Sequence, residues 1–244
     1  DPYRNETVSE DIDLSLIVSS IPANELVERA RRWNGEKGKD KRGLNLLFYG
    51  SPGTGKTAFA RYLARELGYL PMIRRASELL GQYVGMTERL IREMFEEAKG
   101  ACLIIDEADS FLSERSAAIR TWERTQVNEF LTCMESFTGL FIATTNFTTL
   151  LDVASRRRFQ YKVEFGPATP PIKRALATRF FPDMDWTEAT LERVSEIEGL
   201  TPGDFNAVAG RLRYAGDVTA TEVYDELSSE RRFGRTNMPI GFSS

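Results

Sequence analysis

The sequence predicts an α/β domain on a doubly wound parallel five-stranded sheet, followed by a small all-α lid domain. Three observations carry this. Five short apolar runs, "LNLLFYG", "PMIRRA", "ACLIID", "LFIATTN" and "YKVEF", have the length and composition of buried strands. Helical patterns separate most of them, and such alternation is what a parallel sheet requires. After the Pro/Gly-rich stretch from Gly166 to Pro171, only helical patterns remain.

Residues 1–21 are acidic and then apolar, and read as a linker lying on the domain. "IPANELVERARRWN" carries Leu26, Val27, Ala30 and Trp33 at helical spacing with a charged opposite face. The Gly/Lys run "GEKGKDKRG" reads as a solvated connection. "TAFARYLARELG" is an amphipathic helix with Gly68 as its C-cap. The large domain spans residues 22–166 and the small one 167–230, with a tail at 231–244. The small domain holds "IKRALATRFF", "TEATLERVSEIEG", "PGDFNAVAGRLRYA" and "TATEVYDELSSERR". Thr201 before Pro202 has the pattern of an N-cap with proline at the first helical position.

Composition narrows the function. Apolar residues make up 41% and charged residues 28% of 244 residues, which suits a packed core and a wet surface. The net charge of -4 argues against a main role in clamping nucleic acid. There is no histidine, so imidazole catalysis is excluded along with the commonest metal ligand. Cys102 and Cys133 are too few for a disulfide framework, and Cys102 reads as a buried strand cysteine. No run approaches the ~20 apolar residues of a membrane span. The expectation is a cytoplasmic protein. The chain begins at Asp1 without a methionine, so a piece of a longer protein is expected.

Gly50, Ser51, Pro52, Gly53, Thr54, Gly55, Lys56, Thr57 and Ala58 form a phosphate loop, G-x-x-x-x-G-K-[ST], between a strand and a helix. Its glycines let backbone N–H groups turn inward into an anion nest at a helix N-terminus. Lys56 is expected to reach the outer phosphates of ATP, and the Thr57 hydroxyl to ligate Mg²⁺. In "ACLIIDEAD" an apolar strand delivers Asp106 and Glu107 to its C-terminal end, where α/β sheets bind ligands. Asp106 is placed to hold Mg²⁺ and Glu107 to activate water. Asp109 and Glu114 read as solvated or cap-forming.

"GSPGTGKT" followed by "LIIDEAD" resembles the phosphate-loop NTPases of the AAA+ ATPase superfamily, and the later motifs resemble its AAA branch. By that resemblance Asn146 in "FIATTN" is the sensor that orients the lytic water. "LDVASRRRFQYKVEF" is similar to the segment whose arginines act on a neighbouring subunit's nucleotide. Arg157 and Arg158 are then the fingers, and Arg156 an extra. "RRR" alone equally suits a solvated or nucleic-acid-binding cluster. "GQYVGMTERLIREMF" resembles the pore loop of AAA unfoldases, with Tyr83 and Val84 facing an axial channel and Gly85 making the turn; the plainer alternative is a tyrosine packed in a loop. Pro202-Gly203-Asp204 stands where many relatives carry a second sensor arginine, and resembles the small-residue version of that motif. The likeness runs from Leu44 to Arg213 and is nearest to uncharacterised bacterial AAA proteins.

The resemblance implies Mg²⁺-dependent ATP hydrolysis in a homo-oligomeric ring, a hexamer, that remodels, unfolds or disassembles a protein client. Two other classes stay open: a DNA-associated loader or helicase, and a nucleotide-gated scaffold with little turnover. The acidic balance and the "YVG" triplet count against the first, and the filled catalytic positions against the second.

Overall fold

A computed structural model of the chain describes residues 12–36, 42–79, 85–109, 121–146 and 156–236. The five expected strands all form: β1 (Leu44–Gly50), β2 (Pro71–Arg75), β3 (Cys102–Asp106), β4 (Leu140–Thr145) and β5 (Tyr161–Phe165). They make one sheet in the order β2-β3-β4-β1-β5. The pairs β1–β4, β2–β3 and β3–β4 are parallel. β1, β3 and β4 are near-continuous apolar runs because both faces of the sheet's centre are covered.

Helices α1 (Ala23–Glu36), α2 (Lys56–Glu66), α3 (Met86–Glu97) and α4 (Thr121–Ser136) belong to the same unit. α1 buries Leu26, Val27 and Ala30, the residues its spacing selects. α2 packs on β2, β3 and β4, and α3 against α4. α2 gives out at Gly68, whose φ of 78° lets the Tyr69 N–H donate back to the Ala64 carbonyl at 2.9 Å. The core between sheet and helices is aromatic. Phe95 meets the rings of Phe130, Phe137 and Phe141, and Phe141 stacks on Phe159. Each such ring pair adds about 0.5–1.5 kcal/mol beyond the area it buries.

By contact the chain divides into two compact units. The first takes in Ser20–Gly50 and Lys56–Glu164. The second takes in Ser15–Ser19, Ser51–Gly55 and the chain from Phe165 onward. Its helices are α5 (Pro170–Phe180), α6 (Glu188–Glu196), α7 (Pro202–Leu212) and α8 (Ala220–Thr236). They enclose their own core around Leu176, Val194, Phe205, Val208, Val223 and Leu227. α8 continues to Thr236, beyond the helical pattern read to Arg232, since nothing in "FGRT" combines a stop with a cap. The cap on α7 is as expected: the Asp204 carboxylate accepts from the Thr201 N–H at 2.7 Å and from its hydroxyl at 2.9 Å.

Candidate functional site

Parallel register aligns the C-terminal ends of the central strands. Tyr49 is level with Thr145, and Ile105 with Ala143. Gly50, Asp106 and Asn146 therefore leave the sheet along one edge, the edge at which open α/β sheets take ligands. Lys56, the first residue of α2, is buried there at 6% exposure. Its Nζ donates to the Gly50 carbonyl and to Asn146 Oδ1, both at 2.9 Å. Burial holds the ammonium below its ordinary pKa, and the Asp106 and Asp109 carboxylates pull it partly back. This is a cation kept short of solvent and held by two neutral oxygens, which an incoming anion can displace.

Asp106 ends β3, and its Oδ1 accepts from two hydroxyls, Thr57 Oγ1 at 2.9 Å and Thr144 Oγ1. Glu107 follows in a left-handed conformation with φ of 54°, and among the described residues no other non-glycine has positive φ. Such a conformation costs about 1–3 kcal/mol and persists only where neighbours hold it. The Glu107 side chain is exposed. Asp109 corrects the expectation of a solvated or capping carboxylate: it is half-buried and accepts a hydrogen bond from Thr145 Oγ1. The strand β4 that was read for its sensor thus also supplies hydroxyls to this acidic turn. Glu114 lies outside the described residues.

The residues present fit a magnesium ion. The Thr57 hydroxyl and the Asp106 carboxylate are hard oxygen donors already in contact. Mg²⁺ is usually held by one or two protein oxygens together with phosphates and water.

Gly50, Gly53 and Gly55 take φ of 132°, 76° and 89°. A side chain would be strained at each, so the glycine spacing is a requirement of the loop's path. Ser51–Gly55 group by contact with the second unit. There the Gly203 N–H, in the first turn of α7, donates to the Gly53 carbonyl at 2.8 Å. A Cβ on Gly203 would stand 2.7 Å from Gly53 Cα, and one on Gly53 2.6 Å from Thr201 Oγ1. Glycine at 203 is there because two backbones touch.

The arginine segment is anchored elsewhere on β1. Phe159 is buried in the core, and the Gln160 N–H donates to the Asn45 carbonyl at 3.0 Å. Asn45 Nδ2 donates to the Arg158 carbonyl at 3.3 Å and the Met134 carbonyl at 3.4 Å. Asn45 lies one residue from the start of β1, whereas Gly50 is its last. At about 3.3 Å per residue the two anchor points are ~16 Å apart along the strand. Arg158 is half-buried and pairs with Glu135 at 2.5 Å. Arg156 and Arg157 are exposed and make no ion pair among the described residues.

Lys56, Thr57, Asp106 and Asn146 thus come together as their motifs imply, with Glu107 at the same turn; Arg157 and Arg158 do not join them. Gly85 opens α3 with φ of 82°, the turn expected of it. Tyr83 and Val84 lie outside the described residues. The motif reading missed Thr144, Thr145 and Asn45, and it singled out Gly203 without its contact to Gly53. A polar residue inside "LNLLFYG" was the one available signal for Asn45, and a hydroxyl pair before Asn146 for the threonines.

A phosphate loop on a doubly wound sheet, with an acid pair two strands away, defines a phosphate-loop nucleoside triphosphatase fold. The family model "ATPase family associated with various cellular activities (AAA)" matches residues 46–167, and the chain belongs to that family. Among curated relatives, a putative 26S proteasome regulatory subunit homolog of Methanocaldococcus jannaschii is 39% identical over 50% of this chain and 35% of its own length. Fidgetin-like protein 1 of Caenorhabditis elegans is 30% identical over 75% of this chain and 34% of its own. Spastin of Drosophila erecta is 33% identical over 67% of this chain and 23% of its own. The chain spans about a third or less of the length of these three relatives. A crystal structure of the FIGL-1 AAA domain in complex with ADP shares the fold, with a TM-score of 0.67 and 24% identity over 97% of this chain and 86% of that one. The expected affinity with bacterial proteins is not supported, because the sequence relatives matched here are archaeal and eukaryotic.

Proposed function

We propose that this chain is the ATP-hydrolysing unit of a homo-oligomeric ring, six-membered by family resemblance, that remodels a protein partner. One observation carries the reading. The exposed Arg157 adjoins Arg158, whose carbonyl is bonded to Asn45 at the opposite end of β1 from Gly50 and Lys56, out of reach of its own chain's phosphate loop. A second copy of the chain supplies the missing charge.

In this reading the loop from Gly50 to Ala58 holds the phosphates of ATP, and Lys56 leaves Asn146 and the Gly50 carbonyl to meet them. Thr57 and Asp106 would hold Mg²⁺, which would supply positive charge beside the phosphates. Glu107 accepts the proton of the attacking water while Asn146 orients it. The water oxygen bonds to the γ-phosphorus, and ADP leaves as the bridging bond breaks. Arg157 of the neighbouring subunit, with Arg158 beside it, offsets the charge that spreads over the transferring group. Tyr83 and Val84, ahead of the Gly85 turn, grip extended polypeptide by an aromatic–aliphatic face that does not read sequence. Remodelling is also the work that the relatives' family membership favours.

The test is Glu107→Gln. It should bind a fluorescent ATP analogue as the parent does and form a larger particle with ATP by light scattering. Its turnover should fall by about 10²–10⁴-fold, the worth of a positioned general base. Unchanged turnover would sink the assignment of Glu107. A parent whose specific activity stays flat across protein concentration would sink the shared site. Stimulation by DNA that fades steeply with salt would move the chain to the loader or helicase class.

A further inference from the structure

Asp106, Glu107 and Ala108 make a tight turn at the end of β3, and all three are bonded to a single residue of the next strand. Thr144, 2% exposed in β4, donates its hydroxyl to Asp106 Oδ1. The same hydroxyl oxygen accepts the Glu107 N–H at 3.4 Å, and the Thr144 carbonyl accepts the Ala108 N–H at 2.9 Å. The middle residue of this turn is the one with φ of 54°. A left-handed glutamate returns to ordinary backbone unless its flanks are held. Its flanks here are an orientable carboxylate and a main-chain amide, both tied to Thr144.

We propose that Thr144 is the positioning residue for hydrolysis: its hydroxyl locks the Asp106–Ala108 turn and so aims the Glu107 carboxylate, without touching nucleotide itself. This rests on the ATPase reading above. The Ala108–Thr144 main-chain bond survives any side-chain change at 144. The hydroxyl is therefore separable from the strand pairing. Thr144→Val keeps the branched shape and removes the hydroxyl, leaving Thr57 as the remaining hydroxyl donor on Asp106 Oδ1 and the Glu107 N–H without its acceptor. Thr144→Ser keeps the hydroxyl and removes the methyl.

Three measurements decide the matter on the full chain: kcat against KM for ATP, the Kd of a fluorescent ATP analogue, and deuterium exchange at the Glu107 and Ala108 amides. For Thr144→Val, kcat should fall about 10- to 100-fold, the usual cost of losing a partner that orients a site ligand. The analogue's Kd should stay within about threefold, since the loop of Gly50–Thr57 is intact. Exchange at the two amides should quicken, and Thr144→Ser should restore both rate and protection. Parent-like exchange and kcat in Thr144→Val would overturn the proposal. So would equal losses in the valine and serine variants together with a matching fall in Tm, which would mean packing alone. A parent without ATPase activity would refute the ATPase reading, while the exchange data would still decide what Thr144 holds.

Discussion

The two ends of β1 are built in opposite ways. At the Gly50 end, charged and polar groups gather around the buried Lys56, Thr144 and Thr145 and are committed to one another: Lys56 to Gly50 and Asn146, Asp106 to Thr57 and Thr144, Asp109 to Thr145. At the Asn45 end the segment is held by the Asn45 amide, by Phe159 and by the Arg158–Glu135 pair, while Arg156 and Arg157 extend into solvent. A site that must work inside one chain has to satisfy its own charges before the ligand arrives, because an unpaired buried charge is costly. Residues meant for another chain need only a rigid base. In the proposed shared site their charge is left for the partner to satisfy.

The largest expected effect breaks that contrast directly. Arg157→Ala should leave nucleotide affinity near the parent's and lower turnover by about 10³-fold, the scale of a missing arginine finger. Lys56→Ala should abolish ATP binding. Each variant then lacks a different end of β1, so mixing them should recover turnover: one chain contributes an intact loop, the other an intact arginine. A mixture as inactive as its components would mean that Arg157 serves its own chain or none.

The same contrast explains what was legible in the sequence. The phosphate-loop motif is eight consecutive residues, from Gly50 to Thr57, and its glycines and lysine act through local geometry. Asp106 and Glu107 follow an apolar run that can only be a strand, so their exit at its C-terminal end was legible too. Thr144 was not, because its partners lie more than thirty residues earlier and meet it only through the β3–β4 register. Asn45 looked like a blemish in an apolar strand. Its partners at Met134, Arg158 and Gln160 come from an element across the core and from the turn before β5. Asp109 was misjudged for the same reason, since a solvated carboxylate and one held by Thr145 have the same local sequence. The fold was more legible than the site, since strand and helix patterns are periodic and hydrogen-bond partners are not.

A second prediction sharpens the account of the phosphate end. The Gly53 carbonyl is already taken by the Gly203 N–H, so a methyl group at 203 must push two backbones apart. Gly203→Ala should weaken ATP binding by about 10- to 100-fold, the cost of displacing a binding group by roughly an ångström. Gly210→Ala on the same helix meets open space. There alanine should be neutral or stabilise by up to about 1 kcal/mol, because it restricts the unfolded chain and favours the helix. Calorimetry and analogue titration on both variants separate a contact effect from a helix effect. Equal behaviour of the two would show that the Gly53–Gly203 contact has no part in binding.

The smallest effect distinguishes the two arginines at the Asn45 end. Arg158 is half-buried and its Nε reaches Glu135 on α4 at 2.5 Å, while Arg157 beside it is exposed. Glu135 is about half exposed, so the pair is screened, and its coupling should be about 0.2–1 kcal/mol in a double-mutant cycle of Arg158→Ala and Glu135→Ala. If the pair merely steadies the segment, Glu135→Ala should lower turnover by no more than about threefold, a loss of roughly 0.7 kcal/mol in transition-state stabilisation. Arg158→Ala should lower it further but by much less than Arg157→Ala, because a guanidinium already bonded to its own chain has less charge to offer a neighbour. An Arg158→Ala defect as deep as that of Arg157→Ala would mean that Arg158 leaves Glu135 when subunits meet. Glu135→Ala should then raise turnover above the parent's by sparing Arg158 that exchange.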